Sequence, residues 1–339
     1  MQKIILGEWK DGEKIPSENE LCKKFKVSRQ TVRVALKNLE IDGFIKRIRG
    51  RGTFISDNHR KREYTGTVGI IVQNLNSYIF PMITLGAEKE LSENGYNILL
   101  GNANENPQKE AQIIKRWFLE GVNGMIVDPV YSATDQCNKN LIREISKTIP
   151  VVIINSDIGV DSAGNLILND YECGQRAAEE FLKNNHKKLA VLYKAIHEPA
   201  QRRKDGFVDY LRGEKIGFII EQPFYEPEES GIAVKLSNSI LSLPVRQRPT
   251  GIFCINDSIA LQTEMAMRKI GLRIPENLSL ISFDDSTFAS LLNFSTFVHP
   301  KEEFGKRAVK MLLRMMIGGK PEKEKIKIKF IDRCSLKKL

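Results

Sequence analysis

Two arginines four residues apart, Arg29 and Arg33, share one side of a stretch whose apolar residues Val32, Ala35, Leu36 and Leu39 repeat at helical spacing on the other. A guanidinium is a planar fork that matches the two acceptors on a guanine edge. The pattern therefore suits a helix that packs by one face and enters a major groove with the other, Gln30 lying on the same polar face. Ser28 and Thr31 fall in the first turn, where hydroxyls and free backbone N–H groups hold phosphate. Arg49 and Arg51 alternate with Gly50 and Gly52. Such a tip lets backbone press close to a duplex while arginines reach phosphate or the minor groove. Each feature alone is what a solvated surface looks like. Their order along one short segment points to recognition of double-stranded DNA.

The elements that must position these residues can be read nearby. Pro16-Ser17-Glu18 starts a helix expected to pack through Leu21, Cys22 and Phe25, and a short turn at Lys26-Val27 follows. Ser28 can cap the next helix, which Asp42-Gly43 ends. Phe44–Ile48 and Thr53–Ile55 then flank Arg49–Gly52 as a hairpin with glycines at its tip. The spacing predicts a helix-turn-helix with a two-stranded wing over residues 1–56, and the polar run 57–65 reads as a linker.

Charge follows the same division. The chain has 339 residues and a formal net charge of +10. Residues 1–65 hold 16 Lys/Arg against 9 Asp/Glu, 66–319 hold 28 against 30, and 320–339 hold 8 against 3. A small basic unit joined to a large, nearly neutral one suggests a polyanionic partner for the first. The basic C-terminal segment reads as solvated surface. No stretch reaches the roughly 18 apolar residues of a membrane span, and Met1–Trp9 turns acidic too soon for a signal peptide. Five scattered cysteines, Cys22, Cys137, Cys173, Cys254 and Cys334, form no CxxC and fit a reducing cytoplasm.

Beyond the linker the rhythm changes. Apolar runs at 67–72, 97–100, 124–127, 150–154, 189–193, 251–255 and 279–283 alternate with helical patterns at 81–94, 108–120, 173–184, 200–212, 258–270 and 302–317. That alternation predicts an α/β fold of doubly wound parallel sheets. One sheet would be very large, so residues 66–339 are expected to form two lobes, with a small-molecule cleft beyond the strand ends.

Two resemblances sharpen this reading. Ile15-Pro16-Ser17-Glu18-x-x-Leu21, Val27-Ser28-Arg29-Gln30-Thr31-Val32-Arg33, Asp42-Gly43-Phe44-Ile45 and Gly50-Arg51-Gly52-Thr53-Phe54-Ile55 resemble the winged helix of the gluconate-repressor (GntR) family, almost continuously from 12 to 55. The resemblance implies DNA contacts at Arg29, Thr31, Arg33 and Gly50, with Ser28 and Arg49 beside them. That family's first helix is longer than the residues before Trp9 allow. Residues 66–339 resemble the sensing domain of the lactose/galactose-repressor (LacI) family, itself similar to periplasmic sugar-binding proteins. The carriers are Val68-Gly69-Ile70-Ile71-Val72, Gly124–Pro129, Arg203-x-x-Gly206-Phe207, Asn256-Asp257-x-x-Ala260-Leu261, Ile281–Asp285 and Phe330–Ser335. The fusion, with Tyr78-Ile79-Phe80-Pro81, Asp284-Asp285-Ser286 and His299-Pro300-Lys301, looks most like the arabinose-responsive repressors of Gram-positive bacteria.

Sugar chemistry agrees. A sugar presents hydroxyls, each both donor and acceptor, and an apolar C–H face. It calls for planar polar groups beside an aromatic ring. Arg203, Asn256, Asp284 and Asp128 supply the first; Tyr78, Phe80 and Phe288 can supply the second or simply fill core. The resemblance maps ligand positions onto Arg203, Asn256 and Asp284, and further onto Asp128, Asn155, Asp170 and His299. It implies a cytoplasmic repressor released from operator DNA by L-arabinose or a related sugar. A homodimer is expected, pairing partly through the helix around Phe304, Ala308, Leu312, Met315 and Met316.

Duller roles stand beside these. Asp284-Asp285 are sequence neighbours and rarely face one substrate as an acid–base pair. Asp257 reads as a helix N-cap, His186 beside Lys187-Lys188 as surface, and His197-Glu198 lacks the second histidine of a metal helix. No GxSxG, phosphate-binding loop or GxGxxG follows the first strand, so an enzyme and a cofactor are not expected, and the four histidines are too dispersed to suggest a metal site. A sugar-transport component would share the second unit, and a dinucleotide oxidoreductase would share only the α/β class.

Overall fold

The structure is a computed structural model that describes residues 12–41, 45–48, 50–56, 66–227 and 230–339. The segment before Gly12, the helix end at Asp42-Gly43, Phe44, Arg49 and the linker 57–65 lie outside the described residues. The chain folds as two compact units, Met1–Thr65 and Gly66–Leu339.

In the first unit, helix α1 (Glu18–Phe25) starts at Ser17 in a reciprocal capping box with Glu20. Its exit is left-handed, with Lys26 at φ 51°. Helix α2 (Arg29–Ile41) follows, its first turn tied by the Thr31 N–H donating to Ser28 Oγ at 3.1 Å. Strands β1 (Ile45–Ile48) and β2 (Gly52–Ile55) pair antiparallel. The Ile15 N–H donates to the Thr53 carbonyl, and the Ile55 N–H to that of Glu13, which adds a third chain segment to the wing. Ile15, Leu21, Val32, Leu36, Ile45 and Ile55 make the core. Phe25 and Ala35, read from sequence as packed, are exposed. The core takes a narrower stripe, Leu21 on α1 with Val32 and Leu36 on α2.

The second unit has two six-stranded sheets. The first lobe orders its strands β13-β7-β6-β5-β3-β4, all parallel. These are β3 (Gly66–Val72), β4 (Tyr96–Asn102), β5 (Gly124–Val127), β6 (Val151–Ile154), β7 (Gly164–Leu168) and β13 (Lys323–Ile326). The second lobe orders β14-β12-β11-β10-β8-β9, parallel but for β14. These are β8 (Lys188–Lys194), β9 (Phe218–Phe224), β10 (Gly251–Cys254), β11 (Ser279–Phe283), β12 (Ser295–Phe297) and β14 (Phe330–Ile331). Helices α3 (Phe80–Glu93), α4 (Pro107–Leu119), α5 (Lys139–Ser146) and α11 (Lys301–Met316) accompany the first sheet. Helices α6 (Asp170–Lys183), α7 (Glu198–Gly213), α8 (Ile232–Leu241), α9 (Asp257–Lys269) and α10 (Thr287–Leu291) accompany the second. Strand order requires three crossings between lobes, after β7, β12 and β13.

Helix α11 corrects an expectation. Phe304, Ala308, Leu312 and Met315 are buried inside their own lobe. Leu312 and Met316 reach Gly124 on β5, and Met311 and Met315 reach Gly164 on β7. An apolar helical stripe reads alike whether it meets a sheet or a second chain. Here each fully buried leucine contributes about 1.5–3 kcal/mol to the lobe itself. The basic C-terminal segment is likewise structural, since β13 and β14 close the edges of the two sheets. Lys325 pairs with Glu172, and Arg333 with Asp285. His186, read as surface, is buried, its ring bonded to Thr250 Oγ1 and to the Lys337 carbonyl.

Candidate ligand cleft and nucleic-acid interface

A cavity of about 320 Å³ lies between the two lobes. Tyr78, Phe80, Asn155, Asp170, Arg203, Asn256, Asp284, Phe288 and His299 all line it.

The position of Arg203 is set by a helix crossing. A Cβ on Gly174 of α6 would stand 2.0 Å from the Arg203 carbonyl, and one on Gly206 of α7 1.9 Å from that of Tyr171. Only glycines allow this approach. It brings Arg203 of α7 onto Asp170, the first residue of α6, at 2.7 Å. Arg203 Nη1 also donates to the Ile255 carbonyl at 2.7 Å, and the guanidinium lies 3.4 Å from the Phe283 ring centroid. Burial works against its charge, but the carboxylates of Asp170 and Asp284 prevail and hold its pKa above the ordinary value. The fork is charged and fixed before any ligand arrives.

Asp284 follows β11 at φ 105°, with Asp285 at φ 52°. Such conformations are costly for residues with a side chain and persist only where surroundings impose them. The Asp284 N–H donates to the Phe297 carbonyl at 2.9 Å, and Lys301 Nζ donates to the Asp284 carbonyl. Burial pushes the Asp284 carboxyl up to about 7. The two aspartates separate as sequence reasoning expected: Asp284 enters the cavity, and Asp285 bonds Arg333 at 2.6 Å.

Asn256, not Asp257, caps helix α9, its side chain accepting from the Ile259 N–H at 2.9 Å. Asp257 is buried instead. It accepts from Ser282 Oγ, Thr296 Oγ1 and the Ser286 N–H, and so ties α9 to β11, β12 and the Asp284 loop. From the first lobe, the Tyr78 hydroxyl donates to Asp284 Oδ2 at 2.5 Å and accepts from the Asp257 N–H at 3.2 Å. Its ring meets Phe288 edge-on, with centroids 5.9 Å apart. The lobes therefore touch across the cavity.

His299 is buried beside Phe304, its centroid 5.1 Å from that ring, and neither imidazole nitrogen has a partner. Burial, with Lys301 and Arg203 nearby, holds its pKa well below the usual range. The ring is neutral, and both nitrogens are enclosed rather than open to solvent. Asp128 departs from expectation. It is fully buried and does not line the cavity, but accepts from Asn155 Nδ2 at 3.1 Å. Its carboxyl, pushed by burial to about 8, backs the left-handed Asn155 (φ 65°) that does face the cavity. Gln73, Glu105 and Lys194, which no motif singled out, also line the cavity, as does His197, read from sequence only as an incomplete metal pair. Their one signal was position: Gln73, Glu105 and His197 follow strand ends, and Lys194 closes β8.

In the first unit, Ser28, Arg29, Gln30, Thr31, Arg33, Gly50 and Arg51 are all exposed. Arg29 Nε and Arg33 Nε both donate to Glu18 Oε2, at 3.2 and 3.0 Å. The Arg29 bond first, with Arg33 behind it, holds the Glu18 carboxyl below its usual range. Ser28 Oγ and Thr31 Oγ1 stand 2.8 Å apart at the head of α2. Gly50 (φ 77°) turns the wing tip.

Comparison with known proteins agrees with both halves. Residues 1–55 match the model of bacterial regulatory proteins of the gntR family, and 178–336 that of a periplasmic binding protein-like domain. The arabinose metabolism transcriptional repressor of Geobacillus stearothermophilus is 33% identical over 319 residues, 92% of this chain and 88% of that protein. The chain belongs to this repressor family. It is a sugar-responsive DNA-binding transcriptional repressor and not an enzyme. Solved structures share the fold of the second unit of this repressor. A dimeric Lac repressor aligns with TM-score 0.72 at 17% identity, over 80% of this chain and all of that one (100%). A LacI family transcriptional regulator from Enterococcus faecium with bound ribose aligns with TM-score 0.68 at 23% identity, over 80% and 99%. Among the described residues no helix is long and apolar enough to cross a membrane.

Proposed function

We propose that this repressor is released from its operator by L-arabinose, or a closely related neutral sugar, bound in the inter-lobe cavity. The observation that carries the reading is the fixed polar set around that cavity. Arg203 on Asp170 and Asp284 under Tyr78 converge on one space, with Asn155, Asn256 and the neutral His299 ring in its wall. Hydroxyls satisfy such a mixture of donors and acceptors, and the Phe80 and Phe288 rings suit the C–H face. The ribose reported for the Enterococcus relative and the arabinose in the name of the Geobacillus repressor support a pentose.

On the other unit, Arg29 and Arg33 read base edges in the major groove. Gln30 lies beside them, and Ser28 and Thr31 hold phosphate. Gly50 and Arg51 bring the wing to the backbone, with Arg49 next to them in sequence. The protein works as a cytoplasmic homodimer on half-sites about 10 bp or a multiple apart. With α11 committed to its own core, the pairing surface lies elsewhere. Met82 and Leu85 on α3 and Leu100 on β4 are exposed large apolar residues of the first lobe and suit it. A panel of free sugars checks the effector by thermal shift, because a ligand selective for the folded state raises the melting point. L-Arabinose is expected to give the largest rise. A larger rise with another sugar would reassign the effector, and no rise with any sugar would overturn the reading.

A further inference from the structure

One charge pair in the cavity bridges the lobes and belongs to none of the roles above. Lys194 Nζ, at the end of β8 in the second lobe, donates to Glu105 Oε2 of the first lobe at 2.7 Å. The two side chains are only 9% and 16% exposed, and both line the cavity. A buried ion pair is a poor way to gain stability, because desolvation offsets most of the attraction. The chain nevertheless builds this one with care. Asn104 and Glu105 are consecutive left-handed residues at φ 54° and 53°. The Asn104 N–H donates to Asn102 Oδ1 at 3.0 Å, and the Glu105 N–H donates to the Gln73 carbonyl at 2.9 Å. Asn106 then caps α4. Glu105 is thus held between β4, β3 and a helix start, aimed across the cleft.

We infer that Glu105 and Lys194 form a second polar subsite, which takes a neutral vicinal diol and excludes anionic sugars. This rests on the reading of the cavity as a sugar site. An ammonium has three donors, of which Glu105 takes one, and the carboxylate keeps a second oxygen. A diol can donate to that oxygen and accept from the ammonium at once, so it bonds both lobes together. A sugar acid or sugar phosphate meets a different balance. Arg203 is neutralised by Asp170 and Lys194 by Glu105, and Glu105 itself repels an anion. Specificity then comes as much from repulsion as from attraction.

The test uses the full chain and calorimetric titration with L-arabinose and L-arabinonate. Glu105→Gln and Lys194→Met should each weaken L-arabinose about tenfold, the worth of one charge-assisted hydrogen bond. Glu105→Gln leaves Lys194 an unpaired cation, so it should bind L-arabinonate at least about tenfold tighter than wild type does. Lys194→Met should gain nothing for the acid. A gain of binding cannot come from an unfolded variant, and a purely structural pair would not produce it. Should Glu105→Gln fail to fold, Lys194→Met carries the test through its loss of L-arabinose. Variants that bind both ligands as wild type does overturn this inference alone. Wild type that binds no free sugar overturns the sugar reading and this one with it.

Discussion

Arg29 and Arg33 are 61% and 59% exposed and share one carboxylate, Glu18. Arg203 is 7% exposed and is gripped by Asp170, the Ile255 carbonyl and the Phe283 ring. The same side chain serves recognition in both units, under opposite physical conditions. A reader of DNA has to exchange its resting partner for a base edge, so its arginines stay in water, where ion pairs are worth little. A receptor for a small neutral molecule has to be rigid beforehand, so its arginine is built into the fold. The partners of the two sets follow the same division. Glu18 lies on the helix next to the reader, whereas Asp170 and Arg203 depend on a glycine-lined helix crossing.

Replacing each kind of arginine is the strongest way to break this contrast. Arg203→Ala leaves Asp170 buried without its partner and should destabilise the second unit by about 3–5 kcal/mol, with loss of the sugar-induced thermal shift. Denaturant unfolding followed in the isolated chain measures it, and a loss below about 1 kcal/mol would place Arg203 with the solvated arginines. Arg29→Ala should change stability by no more than about 0.5 kcal/mol. It should cost about 1–3 kcal/mol on the specific operator and far less on random duplex. Equal losses on both duplexes in binding titrations would make Arg29 a phosphate contact.

Protonation sharpens the same contrast at smaller scale. Burial raises Glu110 to about 7, Asp128 to about 8 and Asp284 to about 7. In each case the folded chain keeps a proton that the unfolded carboxyl releases near pH 4. The folded state is therefore favoured at low pH and loses that advantage as pH rises through the folded pKa. His197, lowered by burial to about 3, and His299, lowered further by its surroundings, act in the opposite sense below about pH 6.5. Between pH 6.5 and 8 the carboxyls outweigh the histidines, each carboxyl removing about 1 kcal/mol of stability. Melting curves across that window should fall for the second unit. A melting point that rises from pH 6.5 to 8 would show these carboxyls to be ionised in the folded protein.

The two regions also differed in how far the sequence revealed them. The reader was legible because its chemistry is local: capping at Ser17 and Ser28, a polar helix face, and glycines at the wing tip all lie within one short segment. In the sensor, Arg203-x-x-Gly206 could be read because the glycine marks the crossing that places the arginine. Glu105 and Lys194 could not, since 89 residues separate them and nothing local distinguishes a pair that meets across a cleft from surface charge. Asp128 was misplaced by the same blindness: position after a strand shows that a carboxyl nears the cleft, not that Asn155 stands in front of it. Strand β9 was missed because Pro223 and Glu221 break its apolar run, which an edge strand tolerates. Packing partners of α11 and His186 are set by tertiary contacts, and side-chain type alone misassigned both.

Release by sugar requires that cavity and reading helix be energetically coupled. Operator duplex, selected from random sequence with the full chain and fluorescently labelled, can be titrated with and without saturating L-arabinose. Operator binding is expected to weaken with sugar by a factor in the range of about 5–150, and sugar affinity to fall by the same factor when operator is saturating. Operator affinity that is unchanged by L-arabinose and by every other aldose tried would contradict it.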